Sequence, residues 1–354
     1  MNAQFTRHEL IFKQASGTSR GVLTTKETYL LEISENDKKG IGECAIFRGL
    51  SYDDVPDYEE KLTWLCKNIN LDFEVLKKEL LHYPSIIFGL EQALLNLEHG
   101  EDLYFPSDFT DGKDSIKING LIWMGNADFM QSQIEEKLAK GFDCIKLKIG
   151  VDWKSEKEII KKLREKFPKE QLELRVDANG AFSYEEARMV LQELADLGIH
   201  SIEQPIKKSE VRSPKSEENS EINSTDYCVP WNEMAKLCAE TPTPIALDEE
   251  LIGIIDFEEK KKLLETIKPQ YIILKPALVG GFSGSDEWIA IAESLGINWW
   301  ITSALESNIG LNAICQYTYT KKNPLPQGLG TGALFTNNFE THLQLEGDQM
   351  WHKK

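Results

Sequence analysis

The chain has 354 residues, of which 41% are hydrophobic and 28% are charged, and its formal net charge is −18. This composition is typical of a globular protein and excludes a disordered one, and the length predicts two domains or one large barrel with a smaller domain. The negative charge argues against nucleic acid or an anionic membrane as the main partner, because both bind basic surfaces.

The apolar stretches are short, and none approaches the roughly 20 residues that cross a bilayer. The six cysteines are scattered without a CxxC pair, which favours free thiols in a reducing compartment over a disulfide framework. The six histidines are dispersed as well, which gives a histidine-based zinc site little support. We therefore expect a cytoplasmic protein without membrane insertion.

Residues 1–105 show an α+β pattern. Short apolar segments at 10–12, 29–33 and 41–46 predict strands that are separated by polar and glycine-containing turns. A later helix, which Gly100 would stop, places four apolar side chains on one face: Ile87, Leu90, Leu94 and Leu97.

From residue 116 onward, short β-rich runs alternate with amphipathic helices. Two of these helices begin with predicted capping boxes, Ser155 with Glu158 and Ser183 with Glu186. Repeated β-then-α units predict parallel strands joined by crossover helices, and seven or more units favour a closed barrel over an open sheet. The β-rich runs are 115–123, 143–150, 172–180, 200–205, 243–250, 271–281 and 297–307.

The segment 207–227 interrupts this alternation. It is charged, serine-rich and nearly free of apolar residues, which predicts a solvated insertion or a flexible loop. Because it follows the end of a predicted strand, we expect it to leave the barrel intact.

Five predicted barrel strands in succession end in an ionisable residue, and Ser303 ends the next one. One βα unit separates each of these residues from the next, so all should lie at the carboxyl-terminal mouth, where barrel enzymes keep their active sites. The five are, in chain order, Lys148, Asp177, Glu203, Asp248 and Lys275.

Three carboxylates from neighbouring strand ends repel one another unless a cation lies between them. Asp177, Glu203 and Asp248, together with waters or substrate oxygens, would form an octahedral Mg²⁺ site. Lys148 and Lys275 would flank the metal on opposite sides of the mouth. A lysine beside a dication can serve as a base near neutral pH.

Four polar residues near these strand ends have two interpretations each. By strand alternation, Lys146 and Arg175 point inward one layer deeper, either as buried ion-pair partners or as substrate contacts. Asn179 and Glu249 fit roles in orienting the metal ligands, with a surface position as the alternative.

The strand-end motifs resemble the signatures of the enolase superfamily, muconate-lactonizing subgroup, and the likeness covers nearly the whole chain. The segment Gly40-Ile41-Gly42-Glu43 is similar to the Gly-x-Gly-Glu segment of the capping domain in that superfamily. No histidine lies in the sixth or seventh strand-end segment, which speaks against the mandelate-racemase subgroup. The motifs are Lys146-Leu147-Lys148, Asp177-Ala178-Asn179-Gly180, Ser201-Ile202-Glu203-Gln204-Pro205, Ala246-Leu247-Asp248-Glu249 and Leu274-Lys275-Pro276.

Within the subgroup, residues 303–311 and 328–331 most resemble the o-succinylbenzoate synthase family. Dipeptide epimerases carry an Asp-x-Asp motif at the eighth strand, whereas residues 324–334 contain no acid. The resemblance implies an α/β fold, a modified (β/α)7β TIM-like barrel over 116–325 that carries the insertion at 207–227. It also implies an N-terminal α+β capping domain over 1–115, completed by the C-terminal tail 326–354.

The resemblance further implies syn-dehydration of a small-molecule carboxylate, a succinyl-hydroxycyclohexadiene carboxylate, to o-succinylbenzoate in menaquinone biosynthesis. Lys148 would abstract the proton beside the ring carboxylate, and Lys275 would stabilise the enediolate. The cofactor would be Mg²⁺, for which Mn²⁺ can substitute. An N-acylamino acid racemase, or another enzyme of the subgroup, would use the same two lysines and stays the alternative, and an oligomer is possible. A non-catalytic barrel is disfavoured, because none of the five strand-end residues is lost.

Two cap loops, at residues 18–21 and 47–50, are candidate lids. Arg20 would bind the succinyl carboxylate of the substrate, or it is a surface charge. Ser303 and Ser307 either line the pocket or serve in packing.

Overall fold

A computed structural model describes residues 1–18, 21–123, 127–208 and 231–353. The N-terminal part is an antiparallel sheet of three strands in the order β1-β2-β3, with helices α1, α2 and α3 after it. This arrangement confirms the three predicted strands and the predicted helix. The elements are β1 (Asn2–Thr18), β2 (Gly21–Glu35), β3 (Lys38–Cys44), α1 (Tyr58–Asn68), α2 (Phe73–Glu79) and α3 (Pro84–His99).

Strand β3 lies directly against helix α3, and glycine permits the close approach. A Cβ atom on Gly42 would lie 2.0 Å from the carbonyl oxygen of Gly89, and one on Gly40 would lie 2.1 Å from that of Ala93. Any side chain at these two positions would push the strand off the helix. The Gly-x-Gly part of the motif therefore has a packing function.

The second part is a parallel sheet of seven strands in sequential order, β5 to β11, preceded by the short strand β4. Helices connect successive strands, as the alternating pattern predicts. The strands are β4 (Ile116–Lys117), β5 (Gly120–Ile122), β6 (Cys144–Lys148), β7 (Glu173–Asp177), β8 (Ser201–Glu203), β9 (Ile245–Leu247), β10 (Tyr271–Leu274) and β11 (Asn298–Ile301). The helices are α4 (Ala127–Ala139), α5 (Trp153–Lys166), α6 (Tyr184–Asp196), α7 (Asn232–Glu240), α8 (Phe257–Ile267), α9 (Pro276–Val279), α10 (Gly281–Ser294) and α11 (Asn308–Thr320).

Two residues after α11 close this sheet into a barrel. Gln327 forms a parallel bridge with Ile118 beside the first barrel strand, and Gly328 forms one with Thr302 beside the last. The backbone amide of Gln327 donates to the carbonyl oxygen of Lys117 at 2.9 Å, and that of Gly328 donates to Ile301 at 2.8 Å. The modified (β/α)7β barrel with an N-terminal α+β domain is thereby confirmed.

The two predicted capping boxes have different outcomes. Ser183 and Glu186 form the reciprocal pair at the start of α6, as predicted. The box at Ser155 and Glu158 is wrong, because α5 starts at Trp153 and the side chain of Asp152 accepts the amide of Ser155. An N-cap residue of similar strength three positions earlier therefore sets the helix start.

The C-terminal segment returns to both parts of the chain. Strands β12 (Leu343–Glu346) and β13 (Gln349–His352) form a hairpin that pairs with β4, and Phe335 bridges Phe12 of β1. The domain limits at 115 and 325 stay predictions. The predicted insertion at 207–227 lies outside the described residues from position 209 onward. No helix in the described ranges is both long and apolar enough to cross a membrane.

Glu91 joins α3 to the barrel by accepting backbone amides at the start of α10. Its Oε2 accepts from Phe282 at 2.5 Å and its Oε1 accepts from Ser283 at 3.2 Å. Burial raises the pKa of Glu91 to about 7, although these amide contacts act in the opposite direction. The folded state therefore binds this proton more tightly than the unfolded chain does.

Because that pKa is raised, the contribution of Glu91 to stability is present in acid and is lost as the pH rises from about 4.5 to about 7, by roughly 3 kcal/mol. We expect Glu91→Gln to remove this loss, since a neutral amide oxygen still accepts the two amides. Urea unfolding of both proteins at about pH 5 and about pH 8 measures the difference. An identical pH dependence in the two proteins would contradict the assignment.

Candidate active site

The five strand-end residues meet at one end of the barrel, as predicted. Strands β6, β7 and β8 end at Lys148, Asp177 and Glu203, and these three residues are paired in register across the sheet. Asp248 directly follows β9, and Lys275 directly follows β10. A cavity at this mouth is lined by Lys148, Asp177 and Lys275, whereas the buried side chains of Glu203 and Asp248 do not line it.

Lysine ammonium groups contact each of the three carboxylates. Lys148 Nζ donates to Oδ2 of Asp177 at 3.0 Å, and Lys275 Nζ donates to Oδ2 of Asp248. Lys146 Nζ donates to Oε2 of Glu203 at 2.7 Å. The site therefore holds alternating charges of both signs.

Burial and neighbouring charges shift the pKa values of this group. Burial would raise the pKa of Asp177, but the ammonium groups of Lys148, Lys146 and Lys275 hold it well below its usual range. Burial and the charge of Asp177 raise the pKa of Glu203 to about 8. Burial would lower the pKa of Lys275, but the nearby carboxylates, Asp248 first, hold it above its usual range. The protonation state of each of these groups thus depends on the charges of its neighbours.

The carboxylates fit a hard dication by their chemistry. Asp177, Glu203 and Asp248 are each 2% exposed, and Oε1 of Glu203 is buried without a hydrogen-bond partner. A buried carboxylate oxygen with no partner is costly, and a cation would satisfy it. Within the described ranges the three groups do not form a compact ligand cluster, because the lysine ammonium groups contact them instead.

Asn179 and Glu249 extend the network behind Lys148. Oδ1 of Asn179 accepts from Lys148 Nζ at 2.5 Å, and Nδ2 of Asn179 donates to Oε1 of Glu249 at 3.0 Å. Asn179 has φ of 44°, a left-handed conformation that asparagine tolerates better than most residues. Both residues line the cavity, so a surface position is excluded for both.

Lys146 and Arg175 differ in their surroundings, although strand alternation treats them alike. Lys146 lines the cavity and contacts two carboxylates. Arg175 donates to Glu173 at 2.7 Å and to the carbonyl oxygen of Pro326 at 2.9 Å, and its guanidinium lies 4.2 Å from the ring centre of Trp300. Arg175 therefore stabilises the barrel interior and does not line the cavity.

Ser303 and Ser307 also differ in their surroundings. Ser303 lines the cavity, and its hydroxyl donates to Glu306 at 2.6 Å and accepts from Thr331 at 2.8 Å. The hydroxyl of Ser307 donates to Glu43 at 2.5 Å, which joins the start of α11 to the N-terminal sheet. Ser307 therefore has a packing role.

Of the two candidate lid loops, the described one contributes apolar side chains. Phe47 and Leu50 line the cavity, whereas Arg48 forms ion pairs with Glu27 and Asp54. Arg20 lies outside the described residues. Arg48, the arginine of the loop at 47–50, thus belongs to a group of ion pairs at the protein surface.

Sequence interpretation missed one whole wall of the cavity. Asn119, Leu121 and Trp123 line it from the first barrel strand and its flanks, and Thr302 lines it from the seventh. The first three alternate at a spacing of two, so strand periodicity carried the signal that they share one face. They lack ionisable groups, so a prediction based on ionisable strand-end residues does not include them.

Comparison with known proteins gives matches over both parts of the chain. The model of the family "Enolase C-terminal domain-like" matches residues 130–216 and 228–349, and that of "MenC, N-terminal domain" matches residues 2–97. The o-succinylbenzoate synthase of Desulfotalea psychrophila is 42% identical, and the match covers 98% of each chain.

Solved structures agree. MenC from Desulfotalea psychrophila LSv54 superposes with a TM-score of 0.84 at 39% identity over 99% of each chain. An o-succinylbenzoate synthase from Thermosynechococcus elongatus BP-1, solved with Mg in the active site, has a TM-score of 0.71 at 21% identity, covers 93% of this chain and 92% of its own, and shares the fold. The family resemblance of the strand-end motifs is thereby confirmed. The chain belongs to the MenC family of o-succinylbenzoate synthases in the enolase superfamily.

Proposed function

We propose that the protein is a hydro-lyase that converts a succinyl-hydroxycyclohexadiene carboxylate to o-succinylbenzoate in menaquinone biosynthesis. The observation that carries the proposal is that Lys148 and Lys275 enter one cavity from separated strands, with Asp177 also in its wall. Two lysines on different sides of a bound carboxylate can serve as base and as electrostatic stabiliser. Membership of the MenC family supports the same reaction. A cytoplasmic location, without nucleic-acid or membrane partners, is part of the proposal.

In this reaction Lys148 acts twice. As a neutral amine it takes the proton beside the ring carboxylate, and the electrons of that C–H bond pass into the carboxylate to form an enediolate. The enediolate then expels the hydroxyl group from the neighbouring carbon, while protonated Lys148 donates its proton to the departing oxygen. Water leaves, the ring becomes aromatic and Lys148 returns to its starting form. Asn179 holds the amine of Lys148 through the 2.5 Å hydrogen bond.

Lys275 has a different role. Burial would lower its pKa, but Asp248, which accepts from its ammonium group, and the other nearby carboxylates hold that pKa above its usual range. A fixed positive charge lowers the energy of the negative charge that develops on the substrate carboxylate. Asp177, Glu203 and Asp248 would hold Mg²⁺, or Mn²⁺ in its place, which supplies Lewis-acid neutralisation of that same charge.

The remaining cavity wall suits a hydrocarbon ring. Phe47, Leu50, Leu121, Trp123 and Leu305 supply apolar surface around the polar strand ends. Such a wall excludes water from the reacting carbon and strengthens the electrostatic contacts inside.

The test is turnover of the cyclohexadiene substrate by purified protein, followed by loss of the diene absorbance, with Mg²⁺ and with EDTA. We expect rapid Mg²⁺-dependent loss of absorbance and none in EDTA. Full activity in EDTA would contradict the metal-dependent mechanism. No turnover by folded protein that still binds Mg²⁺ would contradict the synthase assignment and favour N-acylamino acid racemisation.

A further inference from the structure

A second cluster of side chains that can bind a metal lies outside the set of residues that line the active-site cavity. Asp102 follows helix α3. His342 directly precedes β12, whose first residue Leu343 pairs with His352 of β13. One carboxylate oxygen and one nitrogen from each imidazole all lie within 4.8 Å of one another. This is the combination of two histidines and one carboxylate that catalytic zinc sites and non-haem iron sites use.

The contacts within the cluster converge on a single oxygen atom. Nδ1 of His342 lies 2.7 Å from Oδ2 of Asp102, and Nε2 of His352 lies 3.0 Å from the same atom. The other carboxylate oxygen of Asp102 is buried and has no hydrogen-bond partner. Two donors on one oxygen and none on the other leave a desolvated acceptor, which is costly unless a cation supplies the missing contact.

Helix α11 holds the loop that carries Asp102 in place. The backbone carbonyl oxygen of Asp102 accepts from Asn312 at 2.9 Å and from Gln316 at 2.8 Å, so helix α11 fixes the ligand loop. The fixed backbone thereby places the carboxylate of Asp102 beside the two histidines.

The two histidines differ in exposure, so one side of the cluster is open to solvent. His352 is fully buried, whereas the side chain of His342 is 44% exposed. In a tetrahedral zinc site the ligand atoms lie roughly 3.3 Å apart, so the two nitrogen-to-oxygen distances of 2.7 and 3.0 Å need to grow by roughly 0.3 to 0.6 Å. Solvent can supply a fourth ligand on the side of His342.

We propose that Asp102, His342 and His352 form a transition-metal site, with Zn²⁺ as the fitting ion, that is separate from the active site. The metal would bind Nδ1 of His342, Nε2 of His352 and the carboxylate of Asp102, and each imidazole would carry its ring proton on the opposite nitrogen. It would link the C-terminal hairpin to the loop after α3. Mg²⁺ prefers oxygen ligands and does not compete for this donor set.

The test is a calorimetric Zn²⁺ titration of chelator-treated protein in excess Mg²⁺, in the parent and in His342→Gln. Glutamine keeps a donor toward Asp102 but removes the imidazole ligand. We expect one Zn²⁺ per chain in the parent and at least about 100-fold weaker binding in the variant, since even outer partners of a metal ligand contribute about 10- to 100-fold. Zn²⁺ should also raise the Tm of the parent and leave that of His342→Gln unchanged.

A matched control locates the site. Asp248→Asn removes an active-site carboxylate, and we expect it to lose turnover and keep the Zn²⁺ equivalent. His342→Gln should keep its turnover with Mg²⁺. Loss of Zn²⁺ binding in Asp248→Asn, equal binding by the parent and His342→Gln, or no binding by the parent would each overturn the proposal.

Discussion

Replacing Lys148 with alanine is expected to lower kcat for dehydration by at least about 10³-fold. A positioned general base or acid contributes about 10² to 10⁴ in rate, and Lys148 supplies both functions in turn. Its ammonium group reaches the cavity wall between Asp177 and Asn179, and no other lysine takes its place on β6, because Lys146 already pairs with Glu203. Loss of diene absorbance at saturating substrate and Mg²⁺ measures the change.

A surface lysine gives the matched control for this prediction. The side chain of Lys140 is 52% exposed and pairs with Glu136 one helical turn away, so Lys140→Ala should keep full activity. Calorimetry should show that Lys148→Ala still binds Mg²⁺, which separates loss of the base from loss of the site. A kcat within about 10-fold of the parent would contradict the role of Lys148.

The meeting of the strand-end residues could be predicted because parallel strands have a simple geometry. Carboxyl ends of neighbouring parallel strands lie at one edge, so residues one βα unit apart meet wherever they lie in the chain. Lys148, Asp177 and Glu203 are indeed in register across three strands. The roles that the ionisable residue types indicate, metal ligand and base, stay predictions.

Contacts without a local pattern could not be predicted. A closed barrel is predicted from the sequence, but the residues that close it, Gln327 and Gly328, are too few to show any periodicity. The same holds for Ser307, whose partner Glu43 lies 264 positions away. A single polar residue carries no sequence signal of a partner on another domain.

The histidines illustrate the same limit. Their dispersal in the sequence argued against a histidine-based site, yet the C-terminal hairpin places His342 beside His352, and the fold brings Asp102 to both. Separation along the chain is therefore a poor guide to ligand geometry where a hairpin and a distant loop meet. Whether a metal binds there is the question that the Zn²⁺ titration answers.

Glu203 offers the sharpest test of the metal ligands, because its replacement should separate metal binding from folding. In the absence of metal, burial and the negative charges of Asp177 and Asp248 make the ionised form of Glu203 unfavourable. A neutral amide of the same shape removes that repulsion and still accepts from Lys146. We therefore expect metal-free Glu203→Gln to unfold at the same Tm as the parent or a higher one.

Addition of Mg²⁺ should then distinguish the two proteins. At a concentration of about 100 times its Kd, a ligand adds about 2.7 kcal/mol to the free energy of unfolding, so the parent Tm should rise. Glu203→Gln should show no such rise and no turnover, whereas Glu136→Gln, exposed on helix α4, should behave as the parent in both respects. If Glu203→Gln kept the Mg²⁺-dependent rise in Tm, Glu203 would not be a ligand. If it lost the rise and kept turnover, the metal would not take part in the reaction. The expected result is that Glu203→Gln loses both the Mg²⁺-dependent rise in Tm and turnover, while its metal-free Tm is unchanged or higher. This result would mean that the buried carboxylate lowers stability and is kept because the reaction needs the cation that it binds.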